Sequence, residues 1–317
     1  MTTQETSTVG KSNGAAKKSS RQEKGARQEE KREPVKDFLK DVVFVLVSFF
    51  FLNSFVLASF EVPTGSMENE IMTGDFLFVN KFIYGGTTPR NIPLTNIRLP
   101  WFRLPAFSKV DRGDVIVFEF PGQRDEIESP EFLFYLKRAV GLSGDTIAVV
   151  NRVVYVNGKP ASIPRNIKFD TYTIMPPGFA DPLGRIFPKG APFNEDNWGP
   201  LRVPAKGDRI PLNADTFEQW KVFIEREGHT VRWDDAGGVL VDGQRSEFYT
   251  VGRNYLFGMG DHRDNSLDGR FWGFIPEENI VGSPMIVYWS WDPNIPMVSI
   301  FDKLSSIRLG RIGTVIK

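Results

Sequence analysis

The sequence predicts a mainly β protein of antiparallel strands behind a single N-terminal transmembrane helix. Two observations carry this prediction: residues 42–60 contain no charge, and short β-branched and aromatic runs recur after them, separated by Gly, Pro and Asp. The chain has 317 residues, enough to bury a substantial core in one large domain or two modest ones.

Composition excludes several classes of function. Net charge is zero, from 39 basic and 39 acidic residues, and residues 61–317 are slightly acidic, so no nucleic-acid partner is expected. There is no cysteine, which excludes disulfides, thiolate catalysis and Cys-ligated zinc. The two histidines, His229 and His262, lie in no metal-ligand spacing, so we expect neither metal nor cofactor.

The N-terminal region divides into a leader and a membrane span. Residues 1–37 are polar and charged, which predicts a disordered leader, and residues 38–60 are predicted to form the transmembrane helix. A buried soluble helix is the less favoured alternative because every face is apolar. A cleaved signal peptide also fits poorly, since the apolar stretch and its leader are both too long.

The basic residues before the span set its orientation. Lys31, Arg32, Lys36 and Lys40 predict a cytoplasmic N-terminus, and no second span follows. Residues 61–317 are therefore expected on the outer face of a bacterial plasma (inner) membrane, in a protein that we expect to be monomeric.

The outer part is predicted to hold strands and one helix. The strand-like runs cover residues 76–79, 115–120, 132–140, 146–150, 153–156, 255–259 and 285–291. Residues 215–227 have helical spacing, with Asp215 and Glu218 as a capping pair and Gly228 as a stop. Residues 157–254 are richer in Pro, Gly, Asn and Asp, which predicts an inserted subdomain within a core of residues 61–156 plus 255–317.

Ser66 is a candidate nucleophile close to the membrane. It lies six residues beyond the predicted span, and an extended chain covers at most ~3.6 Å per residue, so Ser66 would lie within roughly 22 Å of the bilayer. The alternative is an ordinary loop, since Pro-Thr-Gly-Ser is common turn chemistry.

A nucleophilic serine needs a base, and two residues compete for that role. His262 is suitable by type, but it lies in a polar, highly charged loop where a solvated or ion-paired histidine is more common. Lys137 interrupts an apolar strand, and burial lowers the pKa of a lysine, which makes the neutral amine available. The alternative for Lys137 is an edge-strand lysine that reaches solvent.

Four motifs, in order behind the span, resemble the bacterial type I signal peptidase (leader peptidase) family, which uses a Ser/Lys dyad. They are PTGSM at 63–67, GDFLFVNK at 74–81, RGDVIVF at 112–118 leading to YLKRAVGLSGD at 135–145, and GDHRDNSLDGRFWG at 260–273. The resemblance covers residues 40–156 and 255–291. It implies an antiparallel β-rich two-lobed catalytic domain that removes signal peptides from exported preproteins, cutting after a small residue.

The resemblance also implies roles for individual residues. Ser66 matches the nucleophile and Lys137 the general base. Thr64 matches a hydroxyl donor of the oxyanion hole, and Ser266 the hydroxyl that orients the lysine. Supporting charges are implied at Asp268, Arg270, Arg138 and Asp261. Departures from the family pattern are the missing proline after Met67, His262 in place of asparagine and Gly269 in place of serine.

Two other functions compete with this interpretation. One is a Ser/Lys peptidase with another substrate, such as a pilin-type or self-cleaving relative, and the other is a membrane-tethered scaffold that has lost catalysis. Retention of Ser66, Lys137, Ser266 and Thr64 together argues against the scaffold. The aromatic segment 99–107 is a candidate for contact with the lipid bilayer, or alternatively a core-packing loop.

Overall fold

The computed structural model describes residues 34–92, 97–234 and 237–317 of the chain. The chain divides between Val47 and Ser48 into two compact units. The predicted disordered leader falls outside the described residues except for its last four positions, which are helical.

The N-terminal helix, α1, spans Pro34–Phe55. Within the described residues it is the one helix that is long and apolar enough to cross a membrane, over Val35–Phe55. Proline suits a first helical position because its missing N–H would have no partner there. The predicted span of 38–60 is therefore displaced: the helix begins and ends earlier, and Leu57–Glu61 is a strand. Eleven residues, rather than six, separate the end of the helix from Ser66, which widens the extended-chain limit to about 40 Å.

The remaining elements are mostly short strands, as the sequence predicts. Three further helices are α2 (Ala214–Arg226), α3 (Gly269–Trp272) and α4 (Ile300–Ser305), and Glu277–Asn279 and Leu309–Arg311 are single 3₁₀ turns. The strands are β1 (Leu57–Glu61), β2 (Asp75–Asn80), β3 (Val115–Glu119), β4 (Phe134–Gly141), β5 (Thr146–Val150), β6 (Val153–Val156), β7 (Lys159–Pro160), β8 (Trp198–Arg202), β9 (Arg209–Pro211), β10 (Val231–Trp233), β11 (Val239–Val241), β12 (Gln244–Arg245), β13 (Phe248–Thr250), β14 (Tyr255–Met259), β15 (Ile275–Pro276) and β16 (Ile280–Ser290).

The largest sheet has seven strands in the order β1-β2-β16-β3-β4-β14-β15, and all its neighbours are antiparallel. This confirms the predicted fold class. Residues 134–138 of β4 pair with β3, whereas β4 pairs with β14 only from Arg138 onward. In the described part of the chain, the first half of β4 therefore has no strand neighbour on its β14 side.

A second sheet crosses the predicted boundary of the insert. Its order is β7-β6-β5-β8, so strands assigned to the core, β5 and β6, pair with strands assigned to residues 157–254. Ser48–Lys317 is moreover one compact unit. The second sheet, which begins at Thr146, therefore includes strands on both sides of residue 157.

Helix α2 forms where predicted, but with another cap. Asn213 is the N-cap, and its side chain accepts from the Asp215 and Thr216 amides, while Thr216 completes the capping box. The capping pair is Asn213/Thr216, two residues before the predicted pair Asp215/Glu218, because Asn213 is itself a strong N-cap residue. The helix buries Phe223 and Ile224.

Two apolar clusters form the core of the compact unit Ser48–Lys317. The larger extends from β3 and β4 to α2 and includes Trp198, Ile224 and Trp272. The smaller lies beneath Ser66 and includes Met67 and Ile71, together with Val62, Leu77, Val79, Val115, Val117, Val281, Val287 and Ile316. The residues that follow the candidate nucleophile are thus fixed by burial of apolar side chains.

Candidate active site

Ser66 begins a turn in the segment that joins β1 to β2. The Glu68 amide donates to the Gly65 carbonyl at 3.0 Å, and the Ile71 amide donates to the Met67 carbonyl at 2.9 Å. Met67 and Ile71 are fully buried in the smaller cluster, whereas Ser66 is half-buried. The turn therefore keeps the Ser66 side chain accessible while its neighbours anchor it.

Lys137 lies on β4, where it is opposite Ile116 of β3 and only 3% exposed. Its Nζ donates to Ser66 Oγ at 2.8 Å and to the Leu136 carbonyl at 3.1 Å. The structure thus brings the two predicted dyad residues, 71 positions apart, into direct hydrogen-bond contact.

Burial lowers the pKa of Lys137 to about 8, from an ordinary value of 10.5. The carboxylates of Asp268 and Asp261 oppose this shift, and the charge of Arg270 adds to it. Burial costs the ammonium its hydration, and this outweighs the attraction of two acidic side chains.

Arg138, the next residue of β4, binds the loop of residues 260–266. Its Nε and Nη2 donate to the two carboxylate oxygens of Asp261 at 2.9 and 2.6 Å. Its Nη1 donates to the Gly113 and Lys317 carbonyls at 2.7 and 3.0 Å. This bidentate, buried pair fixes the start of the 260–266 loop to the sheet.

Asp268 and Arg270 form a second buried pair at the start of α3, a short helix that sequence analysis missed. Asp268 caps the helix by accepting from the Arg270 amide at 3.1 Å, and it also accepts from the Gly260 amide at 3.0 Å. The Arg270 guanidinium donates to both Asp268 oxygens at 2.9 Å. Although burial acts to raise the pKa of Asp268, the Arg270 charge holds it below its ordinary value.

The hydroxyls of Ser266 and Thr64 make no hydrogen bond with the described residues. Ser266 Oγ is buried without a partner, so the predicted contact that orients Lys137 is not formed. Thr64 is exposed. The loop of residues 260–266 can approach the Ser66 turn closely because residue 260 is glycine. A Cβ at Gly260 would lie 2.1 Å from Ser266 Oγ and 2.6 Å from the Ser66 carbonyl oxygen.

His262 does not contact Lys137 or the Ser66 hydroxyl. Its amide donates to the Ser66 carbonyl at 3.1 Å, and its Nε2 lies 2.7 Å from Asp170 Oδ2. Its Nδ1 lies 3.2 Å from Glu68 Oε2. Sequence analysis missed Glu68 and Asp170 because no local pattern connects charges so far apart in the chain. The available signals were two departures from the family pattern, the missing proline after Met67 and the histidine at position 262.

Comparison with known proteins shows what the chain resembles. Residues 35–289 match the model of a family described as "Signal peptidase, peptidase S26". Signal peptidase I of Haemophilus influenzae is 32% identical over 290 residues, covering 82% of this chain and 72% of its own length. Signal peptidase I of Pseudomonas aeruginosa is 28% identical over 286 residues, covering 86% and 78%. A solved signal peptidase I from Enterococcus faecalis V583 is 16% identical and covers 56% of this chain and 97% of its own, with a TM-score of 0.25.

Proposed function

Because the chain belongs to the signal peptidase family, peptidase S26, we propose that it is a membrane-anchored serine endopeptidase that removes signal peptides from exported proteins. Ser66 is the nucleophile and Lys137 the general base. The observation that carries this proposal is the 2.8 Å hydrogen bond between Lys137 Nζ and Ser66 Oγ, made by a lysine that is almost completely buried.

The reaction follows from the chemistry of the two groups. Neutral Lys137 accepts the Ser66 proton as Oγ attacks the carbonyl carbon after the small residue. The resulting ammonium protonates the leaving amine, which releases the mature protein and leaves an acyl-enzyme. Lys137 then deprotonates a water molecule that hydrolyses the ester and regenerates the serine.

The tetrahedral intermediates need donors for their oxyanion. We assign this role to the Ser66 amide and the Thr64 hydroxyl. Neither donates to an acceptor within residues 34–92, 97–234 and 237–317, so both are available to a substrate.

The substrate is expected to bind as an added strand. Residues 134–137 of β4 lack a neighbour on the β14 side among the described strands, and this open edge ends at Lys137. An extended peptide that pairs there would place its carbonyl groups in series past Ser66. Its apolar signal core would remain in the bilayer, to which α1 tethers the enzyme with its N-terminus cytoplasmic.

Cleavage of a peptide with an Ala-x-Ala site tests the proposal. The wild type is expected to cut after the second alanine, and Ser66→Ala to lose at least about 10³-fold in kcat. Ser305→Ala, an exposed serine on α4, is the matched control and should keep the wild-type rate. Absence of cleavage by the wild type in detergent or vesicles would favour the scaffold, and cleavage that ignores the alanines would favour another peptidase.

A further inference from the structure

A segment of the second sheet's connection, residues 166–171, lies directly on the two loops of the active site. The Lys168 amide donates to the Asp261 carbonyl at 2.9 Å, and the Arg263 amide donates to the Lys168 carbonyl at 2.9 Å. These bonds form an isolated parallel bridge between Lys168 and His262. The segment belongs to the part of the chain for which the family resemblance gives no role.

Side chains of this segment reach the turn that carries the nucleophile. Lys168 Nζ donates to Glu68 Oε2 at 2.7 Å, and the side-chain amide of Asn166 donates to the Glu70 carboxylate. In return, the Asn69 side chain donates to the Asn166 carbonyl at 3.4 Å. Three successive residues after Met67 are therefore held from outside the loop.

His262 links this contact to the nucleophile itself. It is 3% exposed, and its backbone amide holds the Ser66 carbonyl while its ring lies between Asp170 and Glu68. Lys168 Nζ is also 3.7 Å from Asp170 Oδ1. Lys168 and His262 therefore both lie beside the same two carboxylates, those of Glu68 and Asp170.

The position of Ser66 depends on this arrangement more than that of Lys137 does. Lys137 is fixed by a strand within a seven-stranded sheet, whereas Ser66 lies on a turn with no strand neighbour. Met67 and Ile71 anchor the inner side of the turn, and Glu68, Asn69 and Glu70 face the contacts just described. A displacement of about 1 Å between reacting groups can cost roughly 10²-fold in rate.

We propose that Lys168 and Asp170, together with His262, are positioning residues that hold the Ser66 turn through Glu68. They touch neither the substrate nor the reacting atoms in this role. The expected effect on the rate rests on the proposed function, whereas the restraint of the Ser66 turn does not.

Lys168→Met tests the proposal by removing the ion pairs of Lys168 with Glu68 and with Asp170. It is expected to lower kcat about tenfold, with KM changed less than about twofold and the pH midpoint of the rate unchanged. Lys168→Arg should restore most of the rate, because it keeps the ion pair with Glu68. The control is Lys189→Met, which breaks a Lys–Glu pair at 3.0 Å, with Glu218, at a site 51% exposed.

Hydrogen exchange of residues 66–72 gives a second readout that needs no activity. Amides of this turn should exchange faster in Lys168→Met than in the wild type or in Lys189→Met, while β3 and β4 remain unchanged. Wild-type kcat, or wild-type exchange of the turn, in Lys168→Met would overturn the proposal. If the wild type cleaved no signal peptide, the proposed function would fail, and the exchange result alone would test whether Lys168 restrains the Ser66 turn.

Discussion

At the scale of single residues, the proposed catalysis depends on how the charge of one lysine is suppressed. Lys137 has two carboxylates near enough to stabilise its ammonium, yet its pKa falls to about 8 because burial dominates. Asp268 and Asp261 are each neutralised by an arginine that binds them in bidentate fashion. Burial therefore outweighs the attraction of the two acids, and the charge of Arg270 lowers the pKa of Lys137 further.

The pH dependence of the rate follows from this shift. Below about pH 8 Lys137 is an ammonium and cannot accept the Ser66 proton, so kcat/KM should rise about tenfold per pH unit up to that region and level off above it. Lys137→Arg should be as inactive as Lys137→Ala, because a guanidinium does not deprotonate. Stopped assays on an Ala-x-Ala peptide between pH 6 and 10 measure both effects.

His262→Ala separates the lysine base from a histidine base. The variant should keep the midpoint near pH 8 and a rate within about tenfold of the wild type, because the ring faces Asp170 and Glu68 rather than Ser66 Oγ. Wild-type activity in Lys137→Arg, or a folded His262→Ala as inactive as Ser66→Ala, would transfer the role of base to His262.

Sequence could predict the candidate dyad only through the ordered family motifs, because a serine in a turn near a span and a lysine within an apolar strand each left an alternative open. It could not predict that Ser266 Oγ has no partner among the described residues, or that Lys168 meets Glu68. Both depend on how loops far apart in the chain pack, and a loop sequence carries no periodicity from which to infer this.

At the scale of elements, strands β2 to β6, β14 and β16 were predictable because they are β-branched and aromatic runs bounded by Gly, Pro and Asp. Residues 57–60 were wrongly assigned to the membrane helix because they are apolar, whereas they belong to strand β1. A short apolar run fits a helix or a buried strand equally well, and only the pairing of β1 with β2 decides between them. The helix end at Phe55 is therefore a tertiary effect.

Helix α2 contributes stability rather than chemistry. Ile224 is fully buried in the larger cluster, so Ile224→Ala should reduce the free energy of unfolding by about 2–5 kcal/mol. The kcat of the folded enzyme should stay near the wild-type value, since no residue of α2 contacts the dyad or the Ser66 turn in the described structure. Urea unfolding of the outer unit and active-enzyme assays measure the two quantities.

Glu218→Ala is the matched control for this variant on the same helix. Its side chain is exposed and, among the residues that the structure describes, pairs only with Lys189, so the free energy of unfolding should change by less than about 0.5 kcal/mol. A loss of kcat in Ile224→Ala comparable to that of Ser66→Ala, with the fold intact, would move catalytic groups into this region.

At the scale of the whole molecule, the tether and the reaction impose the same topology. Signal peptides present their cleavage sites at the outer face of the membrane, so an enzyme that cuts them needs its serine on that face. Lys36 and Lys40, in the first turns of α1, favour a cytoplasmic N-terminus, and α1 is the one described helix long and apolar enough to span.

Protease added to the outer face of intact spheroplasts should therefore digest residues 61–317 and leave the leader protected. Carbonate extraction should leave the full chain in the membrane fraction, because the 21-residue apolar helix Val35–Phe55 inserts too stably to be washed off. Replacing Lys36 and Lys40 by glutamate should weaken the orientation and expose a fraction of N-termini, since these cations lie within the range that determines topology. A C-terminus protected in the wild type, or a chain released by carbonate, would rule out the anchor while leaving the Ser66–Lys137 chemistry to be tested in detergent.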